Sequence, residues 1–148
     1  MFFYDSEGGM ATKKKISIDK VATRLQLLVR LKGADDYGFC NCVTCDKFYH
    51  YKDMQGGHFI PRGVTATKLM EENIHPQCSH CNGHEMQYGD GMERYELFMV
   101  DKYGRDFVDR LLGEQRAKRP YKWLRSDLED LLKDINEEIK VHEKRVCG

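Results

Sequence analysis

The chain has 148 residues, and its 24 basic and 24 acidic side chains give a formal net charge of zero. This length fits one domain, or one small core with added helices. The neutral total excludes a strongly basic protein, so a polyanionic partner could be contacted only through local groups of charge. No stretch approaches the length of a membrane span and no apolar signal peptide opens the sequence, so we expect a cytoplasmic protein without membrane contact.

Two stretches concentrate positive charge on this neutral chain. Residues 13–32 contain seven basic side chains and one acid, and residues 116–125 contain five basic side chains and no acid. Such stretches favour contacts with phosphates, although they are also typical of solvated helix faces. The side chains that we assign to phosphate contacts are Lys13, Lys14, Lys15, Arg116, Lys118, Arg119 and Lys122.

The first predicted element is an amphipathic helix that follows a flexible basic leader over residues 1–15. Between residues 18 and 32 the apolar side chains recur at steps of three and four, which is the helical period. Ser17 or Asp19 could cap this helix, and Gly33 could end it. We therefore assign residues 16–35 to an N-terminal helix.

Short strands are predicted next. Residues 39–60 are rich in aromatic and β-branched side chains and are interrupted by a cysteine pair and by Gly56-Gly57, which favours a β-hairpin. Residues 63–72 are typical of a loop with about one helical turn. A short helix is expected over residues 78–85, and it would carry Asn82.

Three further helices are predicted after residue 90. Two of them cover residues 92–102 and 104–118, with a break at Gly104. The capping-box signature from Ser126 to Glu129 opens the longest helix, which runs to about residue 146. Its apolar seam would either pack on the domain's own core or pair with a second copy, and from the second alternative we predict a homodimer. The seam consists of Leu128, Leu132, Ile135, Ile139, His142 and Val146.

Four cysteines fall into two pairs with two residues between their members, which is the spacing of zinc knuckles. Each short turn directs two thiolates at one point, so two such pairs can close a tetrahedral zinc site with no open position for chemistry. We therefore predict one structural zinc ion. Its ligands would be Cys42, Cys45, Cys78 and Cys81, which leaves Cys40 and Cys147 without a role.

His58 is the leading candidate for a catalytic side chain. It follows Gly56-Gly57, where the missing side chains allow another group to approach the backbone closely. A neutral imidazole can take a proton from water at physiological pH, as the general base in phosphodiester hydrolysis must. Arg62 could hold a phosphate, and Asn82 offers an amide oxygen suited to Mg²⁺ or Mn²⁺. Such an ion would neutralise charge on the scissile phosphate and on the leaving oxygen.

These residues resemble a known family between about residues 40 and 104. The match consists of Gly57-His58-Phe59, Arg62-Gly63 and the run from Glu72 to His84. In these motifs the sequence is similar to the lambdoid-phage NinG (Rap) recombination proteins and, more broadly, to the HNH or ββα-metal nucleases of the endonuclease VII type. The resemblance implies an α+β fold, with a zinc-stapled, treble-clef-like core over residues 36–104 between the N-terminal helix and a helical extension over residues 105–148.

The same resemblance implies a function. It is that of a metal-dependent DNA endonuclease acting on branched recombination intermediates, such as D-loops and Holliday junctions, in the cytoplasm of a phage's host. Carried over to this sequence, His58 would be the general base and Asn82 would bind a catalytic Mg²⁺ or Mn²⁺ ion. Asn73 would brace the loop that holds His58 through hydrogen bonds, and Arg62 would contact the DNA.

The sequence departs from the HNH pattern at one position. These nucleases usually place an acid or a histidine directly before the general base as a metal ligand, and this chain has Gly57 there. We expect His84 to replace it, on the assumption that His84 faces the same way as Asn82 on their short helix. His75, Asp90, Asp53 and His58 itself remain alternatives. The missing acid also leaves open a non-catalytic zinc-finger module that binds DNA or a protein, and the long seam leaves open a helical dimerising adaptor.

Overall fold

Helix α1 lies at the centre of the fold, in a computed structural model that describes residues 16–147. The predicted basic leader, with Lys13, Lys14 and Lys15, lies outside the described residues, as does the side chain of Cys147. The helices are α1 (Ile18–Gly33), α2 (Thr65–Lys68), α3 (Met86–Tyr88), α4 (Gly91–Tyr103), α5 (Arg105–Ala117) and α6 (Arg125–Cys147). The strands are β1 (Phe39–Asn41), β2 (Phe48–His50), β3 (Gln55–His58) and β4 (Ile74–Gln77).

The prediction for α1 is confirmed at both ends. The hydroxyl of Ser17 accepts a hydrogen bond from Lys20 N at 3.1 Å, so Ser17 is the N-cap and Asp19 lies inside the first turn. The apolar stripe of α1 is buried, with Leu25 and Leu28 almost wholly inaccessible to solvent. This helix therefore supplies the surface on which β3, β4 and α6 pack.

The strands form two separate antiparallel pairs. The pair β1–β2 is the hairpin predicted for residues 39–60, and in it Cys40 lies opposite Tyr49. Strand β3 does not join that hairpin, because its partner is the distant strand β4, with Gly57 opposite His75 and His58 opposite Ile74. The end of β3 is therefore held by a segment that lies 16 or more residues further along the chain.

The four paired cysteines join the turn between β1 and β2 to the residues that follow β4. Their sulfur atoms all lie within 4.8 Å of one another, and the sulfurs of Cys45 and Cys78 are 3.9 Å apart. Four sulfurs around a tetrahedral zinc ion, each about 2.3 Å from it, would be separated by about 3.8 Å. In each pair the second cysteine donates its backbone N–H to the first sulfur, at 3.5 Å for Cys45 to Cys42 and for Cys81 to Cys78. The cluster can therefore hold a structural metal ion such as zinc.

A second core lies between the β3–β4 pair and helices α4 and α5. Phe59 and Ile60, which directly follow β3, are buried there with Tyr95, Met99 and Val108. Gly104 separates the two helices with a φ of +90°, a conformation that glycine adopts readily, so the predicted break is confirmed.

The long helix α6 differs from the prediction at its start, and its seam follows the first of the two alternatives given for it. It begins at Arg125, so Ser126 lies inside its first turn and the capping-box assignment was wrong. Its apolar seam packs against α1 of the same chain, where Ile135 and Ile139 are buried. Arg24 Nε donates to Asn136 Oδ1 at 2.8 Å across this contact. The seam is thus used within the chain and is not available as the predicted dimer interface, so a homodimer would need another surface.

The packing of α6 predicts the effect of a buried charge. Ile135 is 3% exposed, so Ile135→Glu places a carboxylate in the core that α6 shares with α1, which should destabilise the fold by at least about 3 kcal/mol. The matched control is Val141→Glu on the same helix, because Val141 is 66% exposed and should tolerate a charge. Thermal unfolding with light scattering checks both variants. A variant Ile135→Glu that keeps its melting temperature and changes only its oligomeric state would contradict this packing.

The cysteine cluster predicts a dependence of the fold on metal. Cys78→Ser removes one of four ligands and should lower both the zinc content per chain and the melting temperature. Cys40→Ser is the matched control, since Cys40 is buried like Cys78 but lies outside the cluster. Elemental analysis of purified protein measures the zinc. Equal zinc content in Cys78→Ser and Cys40→Ser would rule out the four-cysteine site.

Candidate active site

One pocket gathers most of the residues that the sequence singled out. It has a volume of about 730 Å³ and lies where β3 ends, between the loop that follows it and the turn after the second cysteine pair. His58, Arg62 and Asn82 line it together, although they are up to 24 residues apart in the sequence. Gly56, Phe59, Met86 and Gln115 contribute to its walls. The pocket therefore combines an imidazole, a guanidinium and an amide.

His58 is held in one orientation. Its side chain is buried, and its Nε2 atom lies 2.9 Å from the carbonyl oxygen of Lys68, the last residue of α2. A carbonyl can only accept, so Nε2 carries the proton in this hydrogen bond. In the neutral ring the other nitrogen, Nδ1, then keeps its lone pair. The contact thus fixes the tautomer in which Nδ1 is able to accept a proton.

The surroundings of His58 also keep the ring neutral. Burial lowers the pKa of His58 below its ordinary value of 6.5, and the positive charges of Arg62 and Lys68 lower it further, against the hydrogen bond to the Lys68 carbonyl. A histidine with a lowered pKa is unprotonated at neutral pH. It can therefore act as a base. Because the ring is buried, bulk water competes little for its hydrogen bond with the Lys68 carbonyl.

Asn73 ties the loop around His58 together. It is completely buried, and its Oδ1 accepts a hydrogen bond from Ile60 N at 2.7 Å. Its Nδ2 donates to the carbonyl oxygens of Ile60 and Thr67, both at 3.1 Å. One side chain thereby satisfies three backbone groups in the segments on either side of the pocket loop. The end of β3 and helix α2, which supplies the Lys68 carbonyl, are held in one arrangement.

A chain of hydrogen bonds supports the residue before His58. The hydroxyl of Tyr95 donates to the Gly57 carbonyl at 2.7 Å, and His75 Nδ1 lies 3.1 Å from the Tyr95 oxygen. His75 Nε2 lies 2.9 Å from the hydroxyl of Tyr103. Since the Tyr95 proton goes to Gly57, His75 Nδ1 must donate to Tyr95 and its Nε2 must accept from Tyr103. Burial lowers the pKa of His75 to about 4, so the ring stays neutral in this network.

The network has two consequences for the sequence predictions. His75, one of the alternatives for the missing metal ligand, has both ring nitrogens engaged by tyrosine hydroxyls and so has none free for a metal ion. Tyr103 and the Lys68 carbonyl were not identified from the sequence. A backbone carbonyl leaves no side-chain signal to read, and the position of Tyr103 beside His75 depends on how α4 packs.

Asn82 lies on a π-helical turn, Cys81–Glu85, which leads directly into α3. This short helical segment was predicted, although its π-helical geometry was not. Asn82 Nδ2 donates to Gln55 Oε1 at 2.7 Å, which orients the amide and leaves Oδ1 free of that bond. A Cβ built on Gly57 would lie 3.0 Å from Asn82 Oδ1, so this oxygen faces the position where the HNH nucleases carry their acid. Asn82 Oδ1 therefore lies beside Gly57, in the pocket that His58 also lines.

His84 does not join Asn82. The expectation that the two face the same way was wrong, because residues two apart on a helix do not share a face. His84 Nδ1 and His80 Nε2 each lie 3.3 Å from Glu85 Oε2, and the two imidazole rings stack with centroids 5.2 Å apart. These three side chains form a separate group, with His80 and His84 exposed and Glu85 partly buried, whose ligand atoms lie within 4.8 Å of one another, so it could hold a metal ion of its own.

Asp90 and Asp53, the two aspartates considered as the missing metal ligand, occupy different surroundings. Asp90 is engaged by Arg94, with an Arg94 Nη2 to Asp90 Oδ1 distance of 2.9 Å. Asp53 lies in the 3₁₀ turn Tyr51–Asp53 before β3, and it does not line the pocket.

Arg62 is the basic residue among those that line the pocket. Arg62 is half-exposed and its Nη2 lies 3.6 Å from Asp19 Oδ1. Gln115 lines the pocket at the end of α5, and Tyr121 N donates to Thr65 Oγ1 at 2.8 Å, which fastens the following segment to α2. The predicted phosphate contacts within this segment are all exposed; they are Arg116, Lys118, Arg119 and Lys122.

Within the described residues, no helix is both long and apolar enough to cross a membrane.

Comparison with known proteins supports the resemblance seen in the sequence. Neither the curated proteins nor the solved structures include a match to the chain. The family model described as bacteriophage lambda NinG protein matches residues 10–145, which is nearly the whole sequence. The chain therefore belongs to the bacteriophage lambda NinG family.

Proposed function

We propose that this protein is a metal-dependent DNA endonuclease of the HNH type. The observation that carries the proposal is the state of His58, whose Nε2 is bonded to the Lys68 carbonyl while its Nδ1 keeps a lone pair beside a pocket. Arg62 and Asn82 line the same pocket. Hydrolysis of a phosphodiester requires a fixed neutral base, a positively charged side chain that binds phosphate and a group that binds a metal ion. His58, Arg62 and Asn82 would supply them in that order.

The proposed reaction assigns one task to each of these residues. His58 Nδ1 takes a proton from a water molecule, which then attacks the phosphorus atom of the DNA backbone. Arg62 holds a phosphate oxygen, and Asn82 Oδ1 holds a divalent cation such as Mg²⁺ or Mn²⁺. When bound, this cation neutralises the charge that develops on the phosphate and on the leaving 3′ oxygen. The bond between phosphorus and the 3′ oxygen breaks, this oxygen takes a proton from solvent, and the products are a 5′-phosphate and a 3′-hydroxyl.

The proposed substrate is branched DNA. Membership in the NinG family connects the chain with phage recombination, in which D-loops and Holliday junctions arise. The exposed basic side chains from Arg116 to Lys122 lie in the segment beside the pocket and would contact the phosphates of the arms. Homodimerisation remains part of the proposal, since two active sites suit a four-way junction, but it would use a surface other than the α1–α6 contact.

A second candidate function follows from Gly57. Without the usual acid before the base, the domain could serve as a non-catalytic zinc module that binds DNA or a protein. The two functions differ in a single assay, because a binding module would hold a four-way junction without cutting it. Incubation with linear, forked and four-way DNA, in Mg²⁺ and in Mn²⁺, separates them.

Removal of the base gives the first test of the endonuclease. His58→Ala should lower the rate of cleavage of four-way DNA by about 10²- to 10⁴-fold while zinc content and DNA binding stay close to those of the parent. His50→Ala is the control, since His50 lies on β2 away from the pocket and should cut normally. Equal cleavage by His58→Ala and the parent would show that this pocket is not the active site.

The pH dependence gives a second test. A base must be unprotonated, so cleavage should fall as the pH drops through the pKa of His58, which burial places below 6.5. Activity should therefore persist at pH 6.5 and decline only in more acidic solution. Arg62→Ala removes one positive charge near the ring and should move this decline to a higher pH. A decline centred above pH 6.5 in the parent would contradict the assigned base.

A further inference from the structure

The second polar side chain beside Gly57 belongs to Gln77, the last residue of β4. Gln77 is completely buried, and its Nε2 donates to Thr44 Oγ1 at 2.6 Å. Its carbonyl oxygen, Oε1, is also buried and has no hydrogen-bond partner. Among the described residues, the buried side-chain atoms in this condition are Gln77 Oε1 and Trp123 Nε1. A buried amide oxygen without a partner costs free energy, so its presence calls for a physical reason.

The position of this oxygen supplies the reason. A Cβ built on Gly57 would lie 1.7 Å from Gln77 Oε1, which is close to the length of a carbon–carbon bond. The amide oxygen thus occupies space that the first atoms of any side chain at position 57 would need. The same built Cβ lies 3.0 Å from Asn82 Oδ1, so the oxygens of Gln77 and Asn82 are less than about 5 Å apart.

Two amide oxygens at this separation suit one cation. An octahedral Mg²⁺ ion binds oxygen at 2.0–2.1 Å, so two oxygens on it lie about 3 Å apart when adjacent and about 4 Å apart when opposite. The nitrogen atom of each amide fixes its orientation. Gln77 Nε2 donates to Thr44 Oγ1, and Asn82 Nδ2 donates to Gln55 Oε1. Neither oxygen is used by those bonds.

Resting on the proposed endonuclease function, we propose that Gln77 Oε1 and Asn82 Oδ1 together bind the divalent cation, and that Gln77 replaces the acid that is absent at position 57. Glycine at this position is then a requirement, since any side chain there would collide with the Gln77 amide. The proposal also fits the other groups nearby, as His75 and Asp90 are engaged elsewhere and His84 lies with His80 and Glu85.

The test measures cation binding directly, without DNA. Mn²⁺ is titrated into the zinc-loaded protein, and the free ion is followed by its electron paramagnetic resonance signal. Gln77→Met keeps the length of the side chain but removes the oxygen, and it should weaken Mn²⁺ binding by about tenfold or more. Gln77→Glu supplies a charged oxygen in the same place and should bind Mn²⁺ at least as tightly as the parent. Unchanged zinc content and melting temperature in each variant show that the fold is intact.

A rescue experiment tests the same proposal with other variants, so that the conclusion does not depend on Gln77→Met alone. Gly57→Asp alone should lose Mn²⁺ binding or stability, because its Cβ collides with the Gln77 amide. Gln77→Ala alone should also bind Mn²⁺ weakly. The double variant Gly57→Asp with Gln77→Ala places a carboxylate in the vacated space and should recover Mn²⁺ binding relative to Gln77→Ala.

Each contrary result has a definite meaning. Parent-like Mn²⁺ binding by Gln77→Met overturns the proposal, and so does loss of binding only in His84→Ala, which would place the cation on the His80, His84 and Glu85 group. Weaker binding in Gln77→Glu would also overturn it, because a charged oxygen in the same place should hold the cation at least as tightly. Failure of the endonuclease proposal itself looks different, because Mn²⁺ would then bind through Gln77 without any cleavage of DNA.

Discussion

The arrangement of the four cysteines is the constraint on which the rest of the structure depends. Bringing four sulfurs within 4.8 Å of one another joins the turn between β1 and β2 to the end of β4, across more than thirty residues of chain. Gln77 directly precedes Cys78 and Asn82 directly follows Cys81. A structural metal at this cluster would therefore position Asn82, which lines the pocket, and the buried Gln77 without taking any part in the chemistry.

The other half of the site is held by hydrogen bonds. His58 owes its orientation to the Lys68 carbonyl, and α2 is in turn tied to the pocket loop by the three bonds of Asn73. Tyr95 fixes the carbonyl of Gly57 from the opposite side. The base is thus supported by a buried polar network, whereas the proposed cation ligands are supported by the cysteine cluster. A variant that weakens the polar network should therefore be distinguished from one that weakens the cysteine cluster by separate measurements of zinc content, Mn²⁺ binding and DNA cleavage.

Most of what the sequence predicted correctly depends on local pattern, although the capping box of α6 is a local signal that was wrong. The stripe of α1, the break at Gly104 and the spacing of the cysteine pairs are local signals, and the structure contains the helix, the break and the cysteine cluster that they predict. The strand partner of β3 depends on packing between distant segments, and so does the choice between the two alternatives that the sequence left open for the α6 seam. Gln77 was not singled out because glutamine is common, and only its buried, unpaired oxygen distinguishes it.

The two glycines before His58 illustrate why a short motif can carry two physical requirements. A Cβ at Gly56 would lie 2.6 Å from the Cβ and 2.8 Å from the Cα of Gln26, so this glycine lets α1 pack against β3. A Cβ at Gly57 would instead meet the Gln77 amide. Gly56 therefore serves the core and Gly57 serves the proposed cation site. The absence of an acid before the base does not by itself remove a cation site from this fold, because the space that glycine leaves is filled by an oxygen from the neighbouring strand.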